Sequence, residues 1–469
     1  MTEAPNPIAI PTELEEKEES FFNTLRHLEY ASLDTQKQTY LDYTGGNLYA
    51  RSQVLKHQTL LLDNILGNPH STNPTSRKST ELVEATRDKI ISFFHAEDYI
   101  FVFTQNASAA LKIVGESYPF NGTSTLMLLS DNHNSVNGIR EYCNRKGGVT
   151  NYIPLQYEDL RINDDLLQKA IDETPKGNNL FGYPAQSNVS GIKHNLKWVA
   201  YAQSKGFDVL LDAAAFVPTS ELDLRKVQPD FVSISFYKIF GYPTGIGGLF
   251  IKKSSFAKLT KPWFAGGTVT MVSVVAQNQF LAGGHERFED GTLNYNNIPA
   301  VKIGLEYIES IGMDRITKRV RSLIQYLSSE LKKLNHDNGR IIVKTFGTEK
   351  PENRGGNIVM NFFDVDGNTF PFEEIEMMAN AKQISIRSGC FCNPGIDEIN
   401  NCITNDEISK YFVSRDNGNY TDMTKYLGKM RGATRVSVGI ATNKSDLDNF
   451  IALVASLKNK TASKSVALS

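Results

Sequence analysis

Two polar residues stand where apolar runs end: Val209-Leu210-Leu211 leads into Asp212, and Phe231-Val232-Ser233-Ile234-Ser235 leads through Phe236 and Tyr237 into Lys238. A primary amine forms an imine with a carbonyl group, and a carboxylate pairs with a protonated ring nitrogen. An acid and a lysine at neighbouring strand ends therefore suit an imine-forming ring cofactor. Gly241, Gly245, Gly247 and Gly248 follow the lysine, with Pro243 among them, and let the backbone pass close to a ligand. Taken singly, Lys238 reads as a surface lysine and Asp212 as a cap or turn former. Their pairing brings the chemical reading level with those.

A second constellation is Cys390-Phe391-Cys392, flanked by Gly389 and Gly395, on a loop after an expected strand at Ile384–Arg387. A thiolate is a strong nucleophile, favoured by a nearby cation such as Arg387, and a flexible loop suits a group that must travel. One close pair without a second pair or a spaced histidine makes a poor metal site, so no metal is expected; buried structural cysteines are the plainer alternative. The four cysteines, Cys143, Cys390, Cys392 and Cys402, are too few and too clustered for a disulfide framework, so reduced thiols are expected.

These residues need a scaffold, and the chain is large enough to supply one. With 469 residues, 40% hydrophobic and 22% charged, it should bury a large core in two lobes. Lys and Arg total 50 against 52 for Asp and Glu, a net charge of -2. No overall basic field points to nucleic acid or an anionic membrane, which leaves small molecules as the expected partners. No apolar run approaches the roughly 18 to 20 residues of a membrane helix, and Met1 to Pro11 lacks a signal pattern, so a cytoplasmic location is expected.

Hydrophobic patterning predicts a helix at Glu13–Leu28, then buried strands at Tyr99–Thr104, Thr125–Leu129, Tyr152–Leu155, Leu180–Tyr183, Val209–Asp212 and Phe231–Ser235. Helices at Ala107–Glu116 and Asn134–Arg145 alternate with them, which is the pattern of a doubly wound, mostly parallel α/β sheet. After Pro299 the chain reads as helix to about Leu334, strands at Ile341–Phe346 and Asn357–Phe362, a helix at Phe372–Ala381, and a last strand and helix from Arg435. The expected division is an N-terminal helical segment 1–34, a large domain 35–298, a smaller α+β domain 299–459 and a frayed tail 460–469.

Several stretches then coincide in order: Tyr40-Leu41-Asp42-Tyr43, Gly67-Asn68-Pro69-His70-Ser71, Phe181 to Asn188, Ser235 to Gly241, Arg287 to Thr292 and Gly389 to Asn393. Over roughly residues 35 to 455 they resemble the class V aminotransferase and cysteine desulfurase family, and within it the desulfurase domain of molybdenum cofactor sulfurases. The resemblance implies a fold-type-I enzyme dependent on pyridoxal 5′-phosphate. By it Lys238 carries the Schiff base, Asp212 pairs with the ring nitrogen, His133 stacks on the ring and Asn188 bonds its phenolate oxygen. The phosphate lies in the turn around Asn106 and Ala107, aided by Ser235. Local spacing alone makes that turn a plain helix cap. Tyr237 borders the cofactor, and Thr268 reaches the phosphate from the other subunit of a homodimer.

The resemblance further implies that Arg435, with Arg387 nearby, binds a substrate carboxylate and that Cys392 takes sulfur from L-cysteine as a persulfide, with release of alanine. Alternatives are a C–S or C–N lyase, epimerase, cyclase or aminotransferase acting on another amino acid, and a non-catalytic scaffold. The pattern is broken at Ala215, where most of the family has glutamine, and at Tyr237, where most desulfurases have histidine; the subgroup shares both changes. It is broken again at Ile396-Asp397, where the subgroup has alanine and a third cysteine. Nothing in the sequence matches the appended cofactor-binding domain of full-length sulfurases, so the sulfur acceptor is not identified.

Overall fold

The computed structural model describes residues 13–157, 159–400, 403–429 and 432–463. Seven strands form the large sheet: β1 Tyr99–Thr104, β2 Thr125–Leu129, β3 Val149–Ile153, β4 Asn179–Pro184, β5 Phe207–Asp212, β6 Phe231–Ser235 and β7 Gly247–Lys252. Their spatial order is β1-β7-β6-β5-β4-β2-β3. Strands β2, β4, β5 and β6 are buried throughout, as continuous apolar runs covered on both faces must be.

Strands β2 to β6 run parallel, whereas β7 is antiparallel to both of its neighbours, β6 and β1. Of the glycines expected to let the backbone pass close to a ligand, Gly241 and Gly245 stay outside the sheet, while Gly247 and Gly248 thus enter it. Gly248 is a packing necessity there, because a β-carbon would stand 2.1 Å from the Phe101 ring on β1. A hairpin, Val269–Ser273 with Asn278–Leu281, also lies in a stretch without a predicted element.

The small domain has four antiparallel strands, β8 Val343–Phe346, β9 Asn357–Phe362, β10 Arg387–Gly389 and β11 Ala433–Ser437, in the order β8-β9-β11-β10. The helix expected from Pro299 to Leu334 is two helices, Ile298–Ile311 and Met313–Leu331, broken at Gly312 with φ 90°. The strand expected at Ile384–Arg387 is also divided. Ile384–Ser385 pairs with Thr39–Tyr40, and Asp42 bridges to Ser437 on β11.

The chain just after residue 35 therefore pairs with small-domain strands. The helix Glu13–Glu29 lies on the same side, with Arg26 bonded to Ala441 O at 2.6 Å and to Asp446 at 2.5 Å. The first tail residues are docked rather than frayed: Val365 N donates to Lys460 O at 3.0 Å, and Ala462 N donates to Asp364 at 3.1 Å. Residues 464–469 and Cys402 lie outside the described residues.

Candidate active site

Strand β6 runs directly into the short helix Phe236–Phe240, which carries Lys238. The lysine opens onto a cavity of about 340 Å³, also lined by Asn106, His133, Asn188, Asp212, Ser235 and Tyr237. Its amine has no hydrogen bond or ion pair among the described residues. Burial pushes the amine below its ordinary range; Asp212 opposes this and Arg435 and Arg387 reinforce it. A lysine held toward the neutral form is a nucleophile for a carbonyl carbon.

Asp212, at the end of β5, receives Ser233 Oγ at 3.0 Å and Ala214 N at 3.1 Å, both on Oδ1. Its Oδ2 has no hydrogen-bond partner among the described residues. A buried carboxylate oxygen so placed fits the protonated nitrogen of a ring.

His133 Nδ1 accepts from Ser135 N at 3.1 Å. A backbone N–H can only donate, so Nδ1 is unprotonated and the neutral ring carries its hydrogen on Nε2. Burial lowers the pKa of His133, with Asp212 opposing and Lys238 adding to the effect. The hydroxyl of Ser135 lies 3.1 Å from the same Nδ1 and 2.5 Å from Ser108 Oγ.

Asn106 caps the helix Ala107–Ser117, its side chain accepting from Ala109 N at 3.0 Å. The Ala107 amide and the Ser235 hydroxyl, expected to share an anion, are bonded to each other: Ala107 N donates to Ser235 Oγ at 2.9 Å. Ser235 keeps its hydroxyl hydrogen to give, and the first turn of the helix keeps further amides and its dipole. Gly247 lies so close to this turn that a β-carbon would meet the Asn106 backbone at 2.6 Å. Gln105 and Ser108 of the expected phosphate turn and Gly245 of the glycine run also line the cavity, as does Thr244, which was not among the predicted residues. Thr268 does not line it; it is buried in its own turn, with Oγ1 accepting from Ala265 N at 3.0 Å.

Arg435, on β11, is buried. Its Nη2 donates to Asp42 Oδ1 and its Nη1 to Asn188 O, each at 2.7 Å, while Nε has no partner among the described residues. Arg387 is bidentate on the other oxygen of Asp42, from Nε at 2.9 Å and Nη2 at 2.6 Å. Asp42 therefore organises both arginines. Sequence reading missed it because its partners lie 345 and 393 positions further along the chain.

Asn188 lines the cavity, but the side chain expected at the phenolate oxygen is engaged elsewhere. Its Nδ2 donates to Phe391 O at 2.9 Å and its Oδ1 accepts from Asn393 at 3.1 Å. Both functions of the amide are thus used on the cysteine loop. Cys392 is exposed, and it lies near enough to Lys238 for a thiolate charge to favour the charged amine. The loop expected to be flexible is tied down: Asn134 N donates to Cys392 O at 2.7 Å, and the Arg435 guanidinium lies 5.1 Å from the Phe391 ring centre. Cys143 and Cys392 are free thiols.

The buried unpaired amine, the open oxygen of Asp212, the histidine and the helix N-terminus form a donor set that fits a phosphorylated pyridine aldehyde. The chain matches the family model for class V aminotransferases over residues 39–450. It is 35% identical over 445 residues to the molybdenum cofactor sulfurase of Homo sapiens, an alignment covering 88% of this chain and 49% of that protein. The chain thus spans about half the length of the curated relatives it matches. Its fold superposes on the apo cysteine desulfurase of Thermococcus onnurineus with a TM-score of 0.77 at 23% identity, covering 93% and 97% of the two chains. It also superposes on the cystine C–S lyase C-DES, in complex with cysteine persulfide, with a TM-score of 0.68 at 15% identity, covering 90% and 98%.

Proposed function

Because the chain belongs to the class V aminotransferase family, with the fold-type-I architecture and pyridoxal 5′-phosphate as cofactor, we propose that it takes sulfur from L-cysteine onto Cys392 and releases alanine. One observation carries this reading: the loop bearing Cys392 is tied through Asn188 to Arg435, beside Lys238. The link between the cysteine loop and Arg435, both within electrostatic reach of Lys238, supports a nucleophile and a carboxylate clamp acting on one substrate.

Lys238, Asp212 Oδ2, His133 and the turn at Asn106 and Ala107 would hold the cofactor, which when bound supplies an electron sink for charge developing on the substrate. Arg435 grips the substrate carboxylate and turns the α-amine toward Lys238. Lys238, its amine held toward the neutral form, would move the α-proton. The Cys392 thiolate forms a bond to the substrate sulfur as that sulfur's bond to carbon breaks. The bonding pair stays with the carbon, which takes a proton to become the methyl group of alanine, and Cys392 is left as a persulfide. His133, with its hydrogen on Nε2, would offer a donor to the cofactor or substrate in the cavity.

We also read the protein as a homodimer in a reducing, cytoplasmic setting. The hairpin Val269–Leu281 supports the first part, since Met271, Val274, Val275 and Phe280 on it are exposed, Val275 at 97%. Thr268 stands at its base but is buried in its own turn, so the exposed apolar residues alone support the dimer. No sulfur acceptor is assigned.

The test is a mass balance on sulfur amino acids. L-cysteine should give alanine and a persulfide on Cys392, and Cys392→Ser should stop both while retaining the cofactor's visible absorbance. A C–S lyase would instead form pyruvate and ammonia and survive that substitution. Cofactor-loaded protein that releases no alanine from L-cysteine, with or without a reductant, would refute the proposal.

A further inference from the structure

The residue after Cys392 is the most firmly held on its loop. Asn393 is fully buried, and its Nδ2 donates to Asp131 Oδ1 at 2.9 Å and to Asn188 Oδ1 at 3.1 Å. Asp131, also fully buried, stands just beyond β2. It accepts Ser187 Oγ at 2.7 Å on Oδ1 and meets His194 Nε2 at 2.9 Å on Oδ2. None of Asp131, Ser187, His194 and Asn393 is used in the chemistry proposed above.

The backbone on either side is bound as well, Phe391 O by Asn188 and Cys392 O by Asn134 N. Gly395 opens the following helix so close to the large domain that a β-carbon would stand 2.0 Å from Ser130 O. Phe391 and Cys392 have φ of 56° and 54°. Consecutive non-glycine residues keep that left-handed conformation only where the surroundings impose it. A buried network whose members satisfy one another is rigid, and here it is rooted in the sheet that also carries Lys238 and Asp212.

We infer that Asn393, seated on the Asp131–His194 pair, is a positioning residue that presents the Cys392 thiol from a fixed loop rather than a swinging one. The inference rests on Cys392 being the nucleophile, yet the state of the loop is read independently of the chemistry.

The experiment compares full-length, cofactor-loaded wild type with Asn393→Asp, which sets a second carboxylate against Asp131, and Asn393→Ala, which removes the bonds without adding charge. Amide hydrogen exchange over residues 390–396 should quicken at least tenfold in both variants. Single-turnover alanine formation should fall at least tenfold, with KM for L-cysteine and the cofactor absorbance within twofold of wild type. Unchanged exchange overturns the inference, and so does faster exchange with unchanged turnover. Loss of the folded circular dichroism in both variants also overturns it, by making Asn393 a folding residue. If wild type forms no alanine, the proposed function fails while the exchange result still reports on the loop.

Discussion

The carboxylate of Asp42 accepts a 2.7 Å hydrogen bond from Nη2 of Arg435, across 393 positions of chain, and its other oxygen takes Arg387. Arg435 is only 2% exposed, and a buried guanidinium needs a counter-charge. Asp42→Ala would strand that charge, at a cost of about 3–5 kcal/mol visible in urea denaturation. Asp42→Asn keeps the shape and weakens the grip. We expect its KM for L-cysteine to rise about tenfold, matching the roughly 1.4 kcal/mol of one charge-assisted bond, with cofactor absorbance unchanged.

Asp212 should separate binding from chemistry. Asp212→Asn preserves the bonds from Ser233 and Ala214 but removes the charge that would face the ring nitrogen in the proposed function. The variant should still acquire the absorbance conferred through Lys238 and lose about 100-fold or more in turnover, some 2.7 kcal/mol. Titration of the visible band together with steady-state alanine release checks both halves.

Burial lowers the pKa of Lys238 from 10.5 and of His133 from 6.5. Over the window just below each ordinary value the unfolded chain binds a proton that the folded chain does not, so stability rises with pH there. For His133 this means stability lost as pH falls below 6.5. For Lys238 it means that Lys238→Met stabilises the cofactor-free protein at neutral pH, by a margin that narrows as pH approaches 10.5. Urea midpoints measured from pH 6 to pH 10, roughly the span between the two ordinary values, report this margin.

Glu289 is a buried acid whose role lies in stability. It pairs with Arg87 at 2.8 Å and accepts Phe103 N at 2.8 Å, one residue before the end of β1. Burial alone would raise its pKa, but a hydrogen bond from His285 and the charge of Arg87 bring it below 4.5. Its stabilisation is thus present above 4.5 and lost as pH falls through the lower folded value. Glu289→Leu leaves Arg87 buried without this partner and should cost about 3–5 kcal/mol. The turn at Asn106 should loosen with it, read as weaker cofactor retention on dilution.

The strand ends were the most legible part of the sequence. An apolar run stopping at an acid or a lysine marks Asp212 and Lys238 whatever the rest of the chain does. The same signal was present at Asp131, just past Leu129, and went unread because no partner for it lies nearby in sequence. Strand β7 was hidden because Gly247 and Gly248 speak for a loop unless one knows that Phe101 lies across them. The pinning of the cysteine loop was illegible for a similar reason. Its anchors, Asn134, Asp131 and Asn188, come from two other segments, and a Gly-rich flank argues locally for freedom. Of the expected ligands, Asn188 and Ser235 line the cavity but are already bonded, which spacing cannot disclose.

Asn188 gives its backbone carbonyl to Arg435 and its side chain to Phe391 and Asn393. In the function proposed above, recognition and attack would therefore share a single anchor in the architecture. A lineage adapting this scaffold to a bulkier or differently charged amino acid could not reshape the carboxylate clamp and leave the nucleophile where it was. The two properties are inherited together, so a change of substrate and a change of reaction would arrive as one event.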